Sequence, residues 1–156
     1  MDKNKLIISV IGGHSCAQEV EQIAHKLGKN IAKVGAILVC GGLSGVMKAV
    51  CKGAKEEKGV TVGVLPGEDK QSANPYVDIP IATGLGYTRN TIVTGCADIV
   101  IALPGEYGTL SEIGFALNAK KPVIGIGTWD IPGIIKVKDA DEAIGYIKKH
   151  FLNPNQ

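Results

Sequence analysis

The chain has 156 residues, of which 45% are hydrophobic and 21% charged, and its formal net charge is +2. This length and composition predict one globular domain over residues 1–156, with a frayed tail at 153–156. Scattered lysines, a near-neutral charge and only 4% aromatic residues argue against a nucleic-acid partner. No signal-peptide pattern occurs, and no apolar run approaches the roughly 18 residues of a membrane span. We therefore expect a cytoplasmic protein with no membrane partner.

Short apolar runs alternate with segments of helical periodicity along the whole chain. In chain order the predicted elements are strand 6–11, a helix between a capping box at 15–18 and Gly35, strand 36–40, helix 46–57, strand 60–65, strand 77–81, helix 87–97, strand 98–103, helix 109–119, strand 122–126, strand 134–137 and helix 140–150. Pro80 places the strand at 77–81 at a sheet edge.

Strands that are apolar throughout are typical of a parallel sheet covered on both faces. The predicted fold is therefore a doubly wound, Rossmann-like α/β domain with helices on both faces. Ligands of such sheets bind beyond the carboxyl ends of the strands, and three glycine turns, at 12–13, 41–42 and 105–108, follow apolar runs there.

The segment Pro104 to Glu112, with the sequence PGEYGTLSE, joins a strand to a helix through glycines. Unpaired backbone N–H groups and the positive end of the helix dipole make such a junction an anion site. Glu112 would lie beside the bound anion. The spacing of Thr109 and Glu112 also matches a capping box, T-x-x-E, and the residues alone leave these two interpretations at even odds.

The second glycine turn, Gly41 to Met47, matches neither G-x-G-x-x-G nor G-x-x-x-x-G-K-[ST]. By itself it is interpreted as a tight turn without ligand. His14 follows the first glycine turn and is expected to make local hydrogen bonds. The four cysteines show no metal-like spacing and are expected to be reduced, and no metal site is predicted.

Arg89 is the only arginine of the chain and stands at the start of a predicted helix. A cation is unfavourable at that end of the helix dipole, which favours a paired anion there. The guanidinium fork suits phosphate or carboxylate, although a surface arginine is the simpler alternative.

In order and spacing, residues 41–47, Arg89 and residues 104–112 resemble the superfamily of Lonely Guy (LOG) phosphoribohydrolases and molybdenum cofactor carrier proteins, whose signature is P-G-G-x-G-T-x-x-E. DNA-binding DprA-like proteins share the Rossmann core, but charge and aromatic content argue against that function. The Thr88-Arg89-Asn90 segment is closer to the carrier branch, because the hydrolases have Arg-Lys there. Glu106 also departs from the signature, since it replaces a glycine. A side chain there restricts φ, and a carboxylate repels phosphate unless it points away.

The resemblance implies that residues 105–109 hold the phosphate of a nucleoside monophosphate-like ligand. In hydrolase members it implies Arg89 and Glu112 as the catalytic pair, which releases a base and ribose 5-phosphate. The alternative is a carrier or sensor that binds molybdenum cofactor without turnover, and no cofactor is required for catalysis. The candidate ligand-binding residues are Gly12, Gly13, Gly41, Gly42, Ser44, Gly45, Met47, Gly105, Glu106, Tyr107, Gly108 and Thr109.

The resemblance also implies a homodimer or larger oligomer. The predicted helix after Thr109 has Leu110, Ile113 and Leu117 on one face and Phe115 on another. A helix that is apolar on several faces is buried all round, either against a second copy or within one chain.

Overall fold

The computed structural model describes residues 4–153, so residues 154–156 of the predicted frayed tail lie outside the described residues. The strands are Ile7–Ile11 (β1), Ile37–Cys40 (β2), Val60–Leu65 (β3), Ile79–Ala82 (β4), Ile99–Ala102 (β5), Val123–Ile126 (β6) and Ile135–Val137 (β7). The α-helices are Gln18–Lys33 (α1), Val46–Glu56 (α2), Asn90–Gly95 (α3), Tyr107–Asn118 (α4) and Ala140–Ile147 (α5). No helix within residues 4–153 is both long and apolar enough to cross a membrane.

The seven strands form one parallel sheet in the order β4-β3-β2-β1-β5-β6-β7. Every residue of the inner strands β5 and β6 is buried, because helices cover both faces of the sheet. The predicted doubly wound α/β fold is confirmed. Pro80 lies in β4 at the edge of the sheet, as predicted, where its missing N–H is not needed by a second neighbour.

Each face of the sheet has its own core, because side chains of a strand alternate between the faces. Ile8 and Val10 pack with α1, α2 and α5 on one face. Ile11 belongs to the other face, with Val93 of α3 and Ile113 of α4. The core on this second face contains fewer buried helical residues than the core around Ile8 and Val10.

Several predicted helix ends are wrong. The N-cap of α1 is Ala17, and no side chain caps it, so the Ser15-to-Gln18 capping box does not form. The predicted helix 87–97 is divided into a 3₁₀ turn, Gly86–Arg89, followed by α3. The last helix leaves the α conformation after Ile147 and continues as a π-helical turn, Lys148–Leu152.

The strand order reverses between β1 and β5, which are neighbours in the sheet. The chain leaves β1 for α1 on one face and leaves β5 for α4 on the opposite face. Loops that diverge in this way leave a crevice at the carboxyl ends of the strands, where ligands of doubly wound sheets bind.

Candidate functional site

A cleft of about 670 Å³ lies at this reversal of strand order. The predicted residues that line it are Gly12, Gly13, Met47, Arg89, Glu106, Tyr107, Gly108, Thr109 and Glu112. Other residues of the lining are His14, Leu43, Pro66, Gly86, Tyr87, Asn90 and Ser111. The remaining candidates are not among the residues that line the cleft, although they belong to the same glycine turns: Gly41, Gly42, Ser44, Gly45 and Gly105.

The N-terminus of α4 opens into the cleft without a side-chain cap. Its N-cap residue is Glu106, and the first helical N–H to find a carbonyl is that of Leu110, 3.0 Å from the Glu106 oxygen. The N–H groups of residues 107–109 precede that bond and have no partner within the helix. Because α4 begins two residues before Thr109, the predicted T-x-x-E capping box is wrong, and the carboxylate of Glu112 does not cap this end.

Hydrogen bonds connect the three glycine turns to one another. The Gly13 N–H donates to the Pro104 carbonyl at 3.0 Å, and the Val46 N–H donates to the Gly13 carbonyl at 3.0 Å. The Ser44 hydroxyl donates to the His14 carbonyl at 2.7 Å. Ser44 therefore supports the loop after β1, and the three turns form one preorganised cradle.

Gly105 is one of the positions in this cradle where a side chain has no room. A Cβ there would overlap the Thr109 side chain and approach the Gly13 nitrogen to 2.8 Å. The Trp129 indole N–H donates to the Gly105 carbonyl at 3.0 Å from the far side. The turn at Gly105 is thus held between the turn after β1 and the loop after β6.

Arg89 is buried, with 7% of its surface exposed. Its Nε donates to the Val64 carbonyl at 2.9 Å, and one terminal nitrogen lies 3.5 Å from the Gly41 carbonyl. The other terminal nitrogen donates to the Asn90 side-chain oxygen. Among the described residues its partners are therefore carbonyl oxygens at the ends of β2 and β3 and the side chain of Asn90, and no carboxylate pairs with it. Burial lowers the pKa of the guanidinium, although nearby Glu112 opposes this.

Glu112 lies in α4 with 7% of its surface exposed, and its carboxyl group hydrogen-bonds to no described residue. Burial raises its pKa to about 8, although the positive charge of Arg89 acts in the opposite direction. The neutral acid therefore predominates at pH 7. A buried carboxyl without a partner is costly to hold, and such groups concentrate at functional sites.

Asn90 links Arg89 to α4. Its oxygen accepts from Arg89, and its Nδ2 donates to the Ser111 hydroxyl at 3.2 Å. The Ser111 hydroxyl in turn donates to the Gly108 carbonyl at 2.6 Å. This chain of contacts was not predicted, because Asn90 and Ser111 lie 21 positions apart in the sequence. Only the contact between Ser111 and Gly108 could have been expected, from their spacing on one helix.

Aromatic side chains stand at the rim of the cleft. Tyr87 is 85% exposed and Tyr107 is 80% exposed, and both line the cleft. The Tyr107 ring lies 6.4 Å from the ring of Trp129. Tyr87 and Trp129 were not predicted as site residues, since no local pattern distinguishes them from ordinary surface aromatics.

Two further site features differ from expectation. Glu106 has a φ of −95°, a value open to any residue, so its side chain causes no left-handed strain. Phe115 is 44% exposed, so the alternative that this helix face is buried within one chain is wrong.

Within residues 4–153 there is no group of three or more His, Cys, Asp or Glu side chains able to hold a metal ion.

The model of the SLOG cluster4 family matches residues 5–150. The chain belongs to the SLOG cluster4 family. A relative from Archaeoglobus fulgidus is 41% identical to this SLOG protein over 146 residues, covering 89% of the chain and 92% of the relative. The cytokinin riboside 5′-monophosphate phosphoribohydrolase of Mycobacterium tuberculosis is 32% identical over 120 residues, which are 71% of this chain and 64% of the relative.

Solved structures support the same superfamily resemblance. The molybdenum cofactor binding protein of Rippkaea orientalis matches with a TM-score of 0.90 and 34% identity, over 96% of this chain and 99% of that one. The molybdenum cofactor carrier protein of Chlamydomonas reinhardtii matches with a TM-score of 0.84 and 39% identity, over 93% and 98%. DNA processing protein A of Helicobacter pylori, at 18% identity and a TM-score of 0.72 over 93% of this chain and 81% of its own, shares the fold alone.

Proposed function

We propose that this SLOG protein binds a phosphorylated, nucleotide-like ligand, with the phosphate on the N–H groups that begin α4. The observation that carries the proposal is one cleft in which an uncapped helix N-terminus meets a buried, hydrogen-bond-free carboxyl, Glu112. Helix N–H groups and the helix dipole favour phosphate oxygens. The M. tuberculosis relative is named for a riboside 5′-monophosphate, which is a ligand of this class.

The reaction that this site supports is hydrolysis of an N-glycosidic bond. Water adds to C1′ of the ribose, the bond from C1′ to the base nitrogen breaks, and the electron pair and a proton go to the base. The products are free base and ribose 5-phosphate. Glu112, in its ionised form, takes a proton from the water and stabilises the oxocarbenium-like transition state, as carboxylates do in glycoside hydrolysis.

Arg89 supplies positive charge beside this carboxyl and orients the ligand. Its guanidinium is held by carbonyl oxygens of two strand ends, so its position is set before any ligand arrives. Asn90 supports that position through the Ser111 hydroxyl. In this scheme a ligand that spans the cleft meets the N–H groups of residues 107–109 at its phosphate and Glu112 at its ribose.

The second candidate function is a carrier or sensor of a phosphorylated cofactor such as molybdenum cofactor, with no turnover. It is favoured by the state of Arg89, which is anchored to two carbonyl oxygens and to Asn90 and forms no ion pair with Glu112. The molybdenum cofactor proteins also match almost the whole chain, whereas the M. tuberculosis hydrolase matches 71% of it. The cofactor would be cargo, held at its phosphate by the same helix N-terminus.

We further propose that the protein is a homodimer or larger oligomer. Phe115 of α4 and Ile92 of α3 are 44% and 37% exposed on helices that pack together on one face of the sheet. Exposed apolar side chains on two packed helices support self-association.

The test is an incubation of wild type and Glu112→Gln with a panel of nucleoside 5′-monophosphates, with free base and ribose 5-phosphate measured chromatographically. Glu57→Gln is the control, because Glu57 lies at the C-terminal end of α2 and makes only surface ion pairs. Base release by wild type and Glu57→Gln, but not by Glu112→Gln, supports the hydrolase. No release, with thermal stabilisation by a phosphorylated ligand, supports the carrier. Absence of both overturns the proposal.

A further inference from the structure

Two cysteines form a buried pair beside the second glycine turn. Cys40 is the last residue of β2 and Cys51 lies in the second turn of α2, and both side chains are fully buried. Their sulfur atoms are 3.5 Å apart, so the two thiols are in direct contact. Both thiols are free, and the other cysteines of the chain, Cys16 and Cys96, are not part of the pair. A small motion of the strand end toward the helix would bring the two sulfurs to bonding distance.

The surroundings of Cys40 favour its thiolate form. Its sulfur accepts the Gly42 N–H at 3.3 Å, and the Cys51 thiol donates to it from the other side. The hydrogen bond from Cys51 lowers the pKa of Cys40 most, and the one from Gly42 adds to this effect, although burial opposes both. The same contact and its burial raise the pKa of Cys51, which therefore keeps its proton. The pair thus combines a nucleophilic thiol with a resolving thiol, whereas a cysteine that only fills space needs no such donors.

We propose that Cys40 and Cys51 are a redox modification site, at which a peroxide converts the dithiol into an intramolecular disulfide. The Cys40 thiolate attacks one peroxide oxygen, the O–O bond breaks, and the released hydroxide takes up a proton and leaves as water. The Cys51 sulfur then attacks the sulfenic acid on Cys40. The new S–S bond replaces the S–O bond, and the departing hydroxide takes the Cys51 proton to form a second water. The two electrons that reduce the peroxide come from the two thiols.

The cysteine pair lies next to the cleft, which gives a small oxidant a way in. The Cys40 sulfur lies 4.0 Å from the carbonyl oxygen of Met47, and Met47 lines the cleft. Because both thiols are buried, their reaction depends on the size of the oxidant. Hydrogen peroxide, which is little larger than water, is therefore the class of oxidant that the site admits, and bulky disulfide reagents are excluded.

Gly41 follows Cys40 directly and connects the pair to Arg89. The Gly41 carbonyl lies 3.5 Å from a terminal nitrogen of Arg89. A Cβ on Gly41 would meet the Met47 sulfur at 2.7 Å and the same Arg89 nitrogen at 2.8 Å, so this turn packs tightly on both side chains. Closing the disulfide moves the strand end and removes the thiolate that accepts the Gly42 N–H. Oxidation should therefore displace Arg89 and weaken ligand binding, a consequence that rests on the proposed function, whereas the disulfide itself does not.

The chemistry is tested by mass spectrometry of the wild-type chain after treatment with hydrogen peroxide and digestion with trypsin without reduction. Lys48 lies between the two cysteines, so trypsin separates Cys40 in peptide 34–48 from Cys51 in peptide 49–52. We expect the chain to lose two hydrogen atoms and these two peptides to be linked, with reversal by dithiothreitol. In Cys51→Ala the reaction should stop at a sulfenic acid on Cys40, which dimedone labels.

The exposed Cys96 serves as an internal control for the oxidant. Oxidation of Cys96 with peptides 34–48 and 49–52 still unlinked would overturn the proposal. A link that joins Cys16 or Cys96 in place of the pair would overturn it as well. The peptide map needs no variant, so a folding defect in Cys51→Ala leaves the result intact.

The effect on binding is tested by calorimetry with ribose 5-phosphate on the reduced and the disulfide forms. We expect the disulfide form to bind at least about fivefold more weakly, since a hydrogen bond of the turn is lost, and dithiothreitol should restore the affinity. Cys96→Ser should respond to peroxide as wild type does, which excludes the exposed thiol as the cause. Equal affinities of the two forms would overturn the link to Arg89 while the disulfide stands. If neither form binds, the proposed function and this link fail together, and the peptide map alone decides the disulfide.

Discussion

Arg89 and Glu112 share one cleft but do not form an ion pair, because no guanidinium nitrogen lies within 4.0 Å of a Glu112 oxygen. The two charges influence each other only at longer range. Arg89 is anchored to carbonyl oxygens, and Glu112 remains unpaired. A ligand can therefore enter between them without first breaking a salt bridge.

The buried Glu112 carboxyl should make the stability of the protein depend on pH. Its pKa is about 8 in the folded state and 4.5 in the reference state, so folding takes up a proton between these values. Because the folded state binds more protons, the free energy of unfolding should fall by roughly 1.4 kcal/mol per pH unit as pH rises through this range. The contribution is isolated by measuring the free energy of urea unfolding from pH 5.5 to 8.5 and subtracting the value for Glu112→Gln from that for wild type. A difference that is constant with pH would contradict it.

If the protein is a hydrolase with ionised Glu112 as the active form, its rate should rise with pH. The pKa of about 8 implies that kcat/KM increases about tenfold per pH unit below that value and levels off above it. The measurement is base release from the preferred nucleoside monophosphate between pH 6 and 9. A rate that falls over the same interval would assign Glu112 to the role of proton donor instead.

Substitution of Asn90 by alanine should destabilise the protein and disturb Arg89. Asn90 is 2% exposed, and the change leaves a buried guanidinium donor and the Ser111 hydroxyl without this partner. We expect a loss of about 1–3 kcal/mol in the free energy of unfolding. Thr91→Ala is the matched control, since Thr91 is exposed and bonds only within its own turn. Equal losses of unfolding free energy in the two variants would show that the contacts of Asn90 with Arg89 and Ser111 do not stabilise the protein.

Two glycines near and within α4 should respond to alanine in opposite directions. Gly105→Ala introduces a Cβ that overlaps Thr109, so we expect a loss of roughly 1–3 kcal/mol and at least about tenfold weaker binding of ribose 5-phosphate. Gly114 is exposed and a Cβ there meets nothing, so Gly114→Ala should stabilise the helix by up to about 1 kcal/mol. Normal phosphate affinity in Gly105→Ala would contradict the proposed seat of the phosphate.

The parallel sheet and its glycine turns could be predicted because their signals are local. Apolar runs mark the strands, and the residues of the turn at 104–109 follow such a run directly. The edge position of β4 also follows from Pro80 alone. Helix ends were predicted less well, because a capping pattern such as Thr109 to Glu112 does not say whether an earlier residue begins the helix. Here Glu106 is the N-cap residue and α4 begins at Tyr107, two residues before Thr109.

By itself the amino-acid sequence determined the order of strands and helices and the places where glycine turns meet helix N-termini, because backbone propensity and hydrophobic periodicity act over a few residues. Only the tertiary structure decided what surrounds Arg89, Asn90 and Glu112. Arg89 finds its carbonyl partners 25 and 48 positions away, and Asn90 finds Ser111 21 positions away. The pKa of Glu112 is likewise a property of burial, which depends on packing between distant segments and which no local pattern encodes.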